Sequence, residues 1–552
     1  MQTTLTGYIV REEWRWVAFV SVCLLIAAFS PLFIAASVPS AQGQFMGGLH
    51  KYSDVATYLA RMVQGQAGDW LVHLQHTPEA HRSALINPLY TALGHLSRWT
   101  VDSNIIIFHV ARLLASLIMY LSIYQLAATI WVRVRSRRIF FVLASLGMGL
   151  GWLLATLTGE TWSADLRFVQ PFPFLGTLVG VHYPLAIALL AVLSVVSIHA
   201  FRPMNREWPT VNNLGVVGLL AGLSLGFIYP EALIPFGLAF AATTLTHWWQ
   251  MRQVQQRELA WIAWLFIPSV PLAAYYFLTM IRNPVIATWI QQHSLNDVHP
   301  LALPLGFSWL IAIGLPALVR ALRRLEADTD RFMMLWLLAM LMTFYLAAPS
   351  RPSFLTALSL PLAYFATRSL EEVWLTPMGR RAKQRWFILG VTLLSIGPLY
   401  VTLIPIAPLV QGAPVVSMPP PSYRFALEWL RSRLREENVV LASPAISPWI
   451  PAWTGARVVY GHDRETVQPQ AKYKAVLGWY QAEDEAVCRR LRGLQSSNWG
   501  YYYIDFALLG PLERELGSGN CLQNFQLVAT FGDVEVRFCD LACKLSAFSA
   551  VP

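Results

Sequence analysis

His50-Lys51-Tyr52-Ser53-Asp54-Val55-Ala56-Thr57-Tyr58 opens the stretch 38–104, which separates the first long apolar segment from the second. The same stretch carries Trp70, His73, His76, Glu79, His81 and Arg82 and closes on Asn87-Pro88-Leu89-Tyr90. It is far too long for a turn, and connections of this length are functional or disordered. Aromatic and aliphatic residues continue through it, which argues against disorder. The stretch therefore reads as an ordered loop of short amphipathic helices on a membrane surface, with Asp54 near its start.

The membrane follows from composition. The chain has 552 residues, 55% hydrophobic and 13% charged, with mean hydropathy +0.46. A soluble chain would carry about 25% charged residues. Apolar runs of roughly 20 residues recur, the length that crosses a bilayer as a helix. Lipid-facing backbone must satisfy its own hydrogen bonds, so the spanning part is helical. The first run, about 14–38, follows Arg11 and Arg15 and exceeds the ~7–15 apolar residues of a cleaved leader, which predicts a retained helix. Eleven spans are expected, at about 15–37, 105–131, 139–158, 178–200, 212–229, 231–248, 259–281, 301–319, 332–348, 353–370 and 386–407.

The net charge of +10 does not point to nucleic acid, because the cations flank apolar segments. Alternate loops hold Arg133, Arg135, Arg137 and Arg138; Arg202 and Arg206; Arg252 and Arg257; Arg320, Arg323, Arg324 and Arg331; and Arg380, Arg381, Lys383 and Arg385. The other loops hold single cations such as Arg167, Arg282 and Arg351. Cation-rich loops stay inside. The N-terminus is then cytoplasmic, while the Asp54 loop and the C-terminus are outside.

Three regions are expected. Residues 1–407 form the membrane domain with its long first external loop, 38–104. Residues 408–421 form a linker, stiffened by Gly412-Ala413-Pro414 and Pro419-Pro420-Pro421. Residues 422–552 form a small soluble α/β domain outside the membrane. Its helices are expected at 423–435 and 468–494, and its strands at 439–441, 457–460, 501–504, 526–530 and 534–538. Four cysteines, Cys488, Cys521, Cys539 and Cys543, fall in this tail, where an external location permits disulfides. Cys521 is expected to pair with Cys539 or Cys543.

Several residues can carry chemistry. Asp54 fits either an acid capping a surface helix or a general base, and Tyr58 lies four residues on, on the same helical face. Asp165 is a second acid, in the loop that also holds Glu160 and Arg167. His182 stands at the outer end of the fourth span. Glu231 reads as an acid at a helix N-terminus. Arg351, alone in its loop, suits a phosphate or a lipid headgroup. Arg112 lies deep in the second span and needs a partner. In the tail, Tyr460-Gly461-His462-Asp463-Arg464-Glu465-Thr466 is the densest polar run, and His462 and Glu465 make it a candidate site edge. No Gly-x-Ser-x-Gly elbow, phosphate-binding glycine loop or His-Glu-x-x-His metal motif occurs.

The sequence resembles the GT-C superfamily of membrane glycosyltransferases, which includes protein mannosyltransferases and the bacterial aminoarabinose transferase. The likeness lies in the many spans, the long first external loop and the acid at its start, in Tyr52-Ser53-Asp54 with Tyr58. It extends to Asn87-Pro88-Leu89-Tyr90 leading into Gly94, to Asn283-Pro284-Val285 with Trp289 and Gln292, and to Gly461-His462 with Glu465-Thr466. It departs in one respect: Asp54 is followed by Val55, not by a second carboxylate, and Asp69 is the nearest other acid. A divalent metal is thereby left open as a cofactor.

The resemblance implies an enzyme of the plasma membrane, a hexosyl or pentosyl transferase that uses a polyprenyl-phosphate sugar as donor. The acceptor is a glycan, lipid or protein hydroxyl, attacked with inversion at the outer face. Catalysis is assigned to Asp54 and Asp165, and substrate binding to Tyr58, His182, Arg351, His462 and Glu465. The rival readings are a transporter or lipid flippase, and a non-catalytic scaffold in envelope glycan assembly. A transporter predicts charged or broken helices at the midplane, whereas charge there is sparse apart from Arg112.

Overall fold

Among the described residues of the computed structural model, seven helices are long and apolar enough to cross a membrane: Arg11–Ser37, Asn104–Ile130, Val134–Thr158, His182–Ala200, Gln256–Arg282, Asp328–Leu346 and Arg381–Leu403. The structure describes residues 7–38, 43–100, 103–202, 207–292, 298–324, 328–346, 351–411, 415, 417–484, 487–488, 496–497, 500–540 and 543–544. Arg206, Gly412-Ala413-Pro414 and residues 485–486 and 489–494 of the expected tail helix lie outside that set.

The remaining four expected spans fall on helices Asn213–Ile228, Leu233–Met251, Ser308–Arg324 and Ser359–Ser369. These are shorter or less apolar. Asn213–Ile228, with 16 residues, is about 24 Å long at ~1.5 Å per residue, against a hydrocarbon core of ~30 Å. The chain is a multi-pass helical membrane protein with a small C-terminal sheet.

The chain divides into two compact units. The first comprises Met1–Ser30, Val110–Tyr276 and Ser294–Ile404. Within it Arg112 finds the partner its depth demands: its Nη1 donates to the Leu178 carbonyl at 2.7 Å, and its guanidinium lies 4.3 Å from the Phe29 ring centroid. A buried cluster joins Glu13, Tyr124 and Arg137, with Arg137 Nη1 3.0 Å from the Glu13 carboxylate.

The second unit gathers Pro31–His109, Phe277–His293 and Pro405–Pro552. The first long loop supplies two helices, Tyr52–Ala67 and Pro88–Trp99. They pack closely through paired glycines: a Cβ on Gly65 would lie 2.2 Å from the Thr91 carbonyl oxygen, and one on Gly94 would lie 2.1 Å from that of Met62. Asn87 precedes the second helix in the left-handed region (φ 47°) that Asn tolerates, and Pro88 starts it with the φ a first turn needs. Between the helices the chain folds back on itself through a Val72–Ala84 bridge.

The tail forms β1 (Val439–Leu441), β2 (Arg457–Val458), β3 (Ser496–Ser497), β4 (Gly500–Tyr501), β5 (Phe506–Leu509), β6 (Gln526–Phe531) and β7 (Val534–Phe538). The main sheet runs β2-β1-β5-β7-β6, with β1 parallel to β2 and β5 and the rest antiparallel. Its centre, β5, differs from the expected strand at 501–504. Phe506-Ala507-Leu508-Leu509 is buried on both faces, and so lacks the alternation that marks a strand. Helices Pro421–Arg431 and Pro469–Gln481 match the expected ones in place but end sooner.

The disulfides differ from expectation. Cys488 bonds Cys521, and Cys539 bonds Cys543. Cys521 lies on the turn Asn520–Leu522, not on a strand, and that turn shares a hydrophobic cluster with Trp479, Tyr480 and Cys488. Cys539 follows β7, and its partner is four residues on.

Candidate active site

Asp54 sits in the first turn of helix Tyr52–Ala67, two residues past its start. Its Oδ1 accepts a hydrogen bond from His462 Nε2 at 2.8 Å. The tautomer follows from the other ring nitrogen, because Nδ1 accepts the Arg464 backbone N–H at 2.9 Å. The ring proton therefore sits on Nε2 and points at the carboxylate. Burial pushes the Asp54 carboxyl up. The hydrogen bond from His462, with the electrostatic pull of His462, Arg464 and Lys51, more than offsets this and holds it below the ordinary value of 3.8. Asp54 is thus an anion at neutral pH, and 25% of its side chain stays exposed.

The loop presenting His462 is closed on itself. The Gly461 and His462 N–H groups both donate to Thr466 Oγ1, at 3.0 and 3.1 Å, and Thr466 Oγ1 donates to the His76 carbonyl at 2.7 Å. Gly461 is required by space: a Cβ there would lie 2.6 Å from His76 Cδ2 and 2.9 Å from Val458 Cγ2. Glu465 turns inward, where Arg61 Nη2 donates to both its oxygens at 3.1 Å and Trp289 Nε1 donates at 2.9 Å. Gln292 brackets the loop, donating to the Thr466 carbonyl at 2.9 Å and accepting the Gln468 N–H at 2.7 Å.

The histidines of the first long loop tie that loop to the tail. Buried His76 bonds the Pro448 carbonyl, and burial pushes its pKa down to about 4. His81 accepts the Leu74 N–H at 2.9 Å and donates from Nδ1 to the Glu79 carbonyl at 2.8 Å; burial again takes it down to about 4. Glu79 pairs with Lys472 of the tail, and Thr77 Oγ1 bonds both. The Val458 N–H donates to the Gln75 carbonyl at 3.0 Å, which ties this loop to the edge strand β2.

The candidate residues fall in both units. Asp54, His462 and Glu465 come together within the second unit. Tyr58 lies in the same unit but is buried, stacked on Tyr90 at 4.5 Å between ring centroids and 6.4 Å from Phe108. It serves the packing of the two loop helices rather than a surface open to substrate. Asp165, His182 and Arg351 belong to the first unit.

Asp165 is fully buried, and its carboxylate fastens its own surroundings: Oδ2 accepts the Gly149 and Gly151 N–H groups, each at 3.1 Å, and Oδ1 accepts the Ser163 hydroxyl. Burial raises its pKa to about 6, against the pull of those bonds. His182 is buried beside Tyr183 and Tyr229. Arg351 Nη1 pairs with Glu231 Oε1 at 2.8 Å, so the acid read as a helix-end charge is the partner of the isolated cation.

Arg61, Trp289 and Gln292 complete the setting of the site and were not among the sequence candidates for chemistry. Trp289 and Gln292 stood in the Asn283-Pro284-Val285 motif. Arg61 was findable, since it lies seven residues after Asp54 and so shares its helical face. Among the described residues no three His, Cys, Asp or Glu side chains are grouped to hold a metal ion. The positive charge of Lys51 and Arg464 around Asp54 also opposes a cation there. The residues at Asp54 do not fit a metal.

No family model matches the chain, and no curated protein matches it in sequence. Solved structures do match. The apo oligosaccharyltransferase of Archaeoglobus fulgidus aligns with TM-score 0.53 and 12% identity, over 90% of this chain and 69% of its own. The same protein in complex with Zn and sulfate aligns with TM-score 0.50 and 11% identity, over 90% and 68%. ArnT from Cupriavidus metallidurans, solved bound to undecaprenyl phosphate, aligns with TM-score 0.53 and 13% identity, over 95% of this chain and 97% of its own. At such identities the likeness is one of architecture, and the chain has the fold of the GT-C membrane glycosyltransferases that its sequence resembles.

Proposed function

We propose that the protein is a membrane glycosyltransferase that moves a sugar from a polyprenyl-phosphate donor to an acceptor hydroxyl, with inversion. The fold it shares with two enzyme structures, one of them holding undecaprenyl phosphate, supports this reading. The observation that carries it is Asp54: an anionic carboxylate, oriented by a hydrogen bond, still partly exposed, at the start of a loop helix. The arginine distribution supports a cytoplasmic N-terminus, with the Asp54 loop and the tail at the outer face of the plasma membrane.

In the reaction the acceptor oxygen attacks the anomeric carbon and gives its proton to Asp54. The bond from that carbon to the phosphate oxygen breaks, and polyprenyl phosphate leaves with the electron pair. Lys51 and Arg464 supply positive charge beside the carboxylate, where an anionic donor gains most. In the first unit, Arg351, beside Glu231, carries the fork of donors that a guanidinium offers to phosphate oxygens. Asp165 shapes its own loop and takes no proton from substrate. The acceptor is a glycan, lipid or protein hydroxyl.

The test is Asp54→Asn, with Asp69→Asn, an exposed acid later in the same loop, as control. A general base contributes about 10²–10⁴-fold. Purified Asp54→Asn is expected to retain donor binding and lose transfer by that order, while the control stays active. Near wild-type transfer by Asp54→Asn removes Asp54 as base. A wild-type protein that binds but never consumes a polyprenyl-phosphate sugar favours the flippase or scaffold reading.

A further inference from the structure

We propose that His462 is a positioning residue for Asp54, and that the Gly461–Thr466 loop of the tail is the strut that aims the catalytic carboxylate. This rests on Asp54 being the base.

Neither nitrogen of His462 remains for a substrate. Nδ1 accepts the Arg464 N–H and Nε2 donates to Asp54, and the side chain is 7% exposed. The ring cannot be the base either, since the Nδ1 lone pair that would take a proton already accepts the Arg464 N–H. It can fix which oxygen of Asp54 is occupied, leaving Oδ2 for the acceptor hydroxyl. Held this way, the carboxylate meets the acceptor without a search over rotamers, and that is where an oriented group gains rate.

The strut is built to transmit position. Asp54 and Arg61 are seven residues apart on one face of helix Tyr52–Ala67, about 10 Å along its axis. The tail loop grips both, through His462 and through Glu465. Two grips on one face fix the roll of the helix, and hence the aim of Asp54. Trp289 and Gln292 hold the loop from a third segment. The Gly461-His462…Glu465-Thr466 pattern is thereby accounted for residue by residue. Gly461 admits His76, His462 holds Asp54, Glu465 holds Arg61, and Thr466 closes the loop.

The readout is the acid limb of the pH–rate profile. Asp54 faces Lys51 at the start of its own helix, and His462 and Arg464 from the tail loop. Of the helices packed on that one, Trp449–Thr454 has no titratable side chain, and Pro88–Trp99 carries Tyr90, His95 and Arg98. Tyr90 stacks on Tyr58, and Arg98 lies near Gly68 at the far end of the Asp54 helix. Removing His462 therefore takes away the largest influence that lowers the carboxyl and leaves burial opposed only by Arg464 and Lys51.

His462→Ala is expected to lower kcat about ten- to hundredfold, with donor KM within about threefold. The acid limb of its pH–rate profile is also expected to move to higher pH than that of wild type. His462→Gln, whose amide N–H can reach Oδ1, is expected to recover most of both. Three outcomes overturn the proposal: an unmoved acid limb, a raised KM at unchanged kcat, or no recovery by Gln in a protein that unfolds at the wild-type temperature. Asp54→Asn, run alongside, separates the two readings. If it stays active, the base assignment has failed; if it is dead while both His462 variants behave as wild type, only the positioning role has failed. A double-mutant cycle of Asp54→Asn and His462→Ala on unfolding midpoints needs no turnover. Coupling at pH 7 is expected, and additivity overturns the contact.

Discussion

Lys472→Met tests whether the first long loop and the tail are one body. Glu79 has no exposed side-chain surface and that of Lys472 is 7% exposed, so the pair lies out of water. Thr77 Oγ1 accepts from Lys472 at 3.0 Å and also accepts the Val467 N–H at 3.2 Å, which carries the contact to the strut. Methionine fills the space of the lysine stem and removes its charge. The Glu79 carboxylate is then left buried with Thr77, and breaking such a pair costs about 3–5 kcal/mol. At ~1.4 kcal/mol per tenfold, local opening should become roughly 10²–10⁴ times more frequent. Hydrogen exchange by mass spectrometry reads this at Val72 and Ala84, whose amides bond each other's carbonyls, and at Val467. Glu79→Gln combined with Lys472→Met removes both charges and should lie closer to wild type than Lys472→Met alone. Protection in Lys472→Met within about threefold of wild type at pH 7, or a double variant as labile as the single, refutes the reasoning.

Two further outcomes follow from the same unit. His76 and His81 both have pKa values near 4 in the folded protein, below the ordinary 6.5, so the unfolded chain binds more protons between those values. The loop–tail unit should lose stability as pH falls from 6.5 toward 4, and His81→Gln should flatten that slope; an unchanged slope of hydrogen-exchange protection against pH contradicts it. Non-reducing peptide mapping should recover Cys488–Cys521 and Cys539–Cys543 with Cys23 as a free thiol. A Cys521–Cys539 peptide refutes this pairing.

Much of the architecture was legible because the bilayer imposes a crude rule. A helix that crosses lipid needs a long uncharged run, and the runs from Arg11–Ser37 to Arg381–Leu403 announce themselves. Strand β7 was legible because it alternates, and β5 was not because it is buried on both faces. Asp54 was legible by position, as the acid that follows the first apolar run. What that acid touches was not, since His462 lies 408 residues away and nothing local marks their meeting. The same distance hid Arg61 from Glu465 and Glu79 from Lys472. Arg112 could be known to need a partner from the cost of a buried charge, but Leu178 and Phe29 come from other helices. Three short motifs, around Asn87, Asn283 and Gly461, could be seen in the chain without a reason for standing together. Tertiary structure supplies the reason. They pack into one unit with Asp54, and there a loop histidine with its proton fixed on one nitrogen meets a carboxylate and opposes the upward push of its burial.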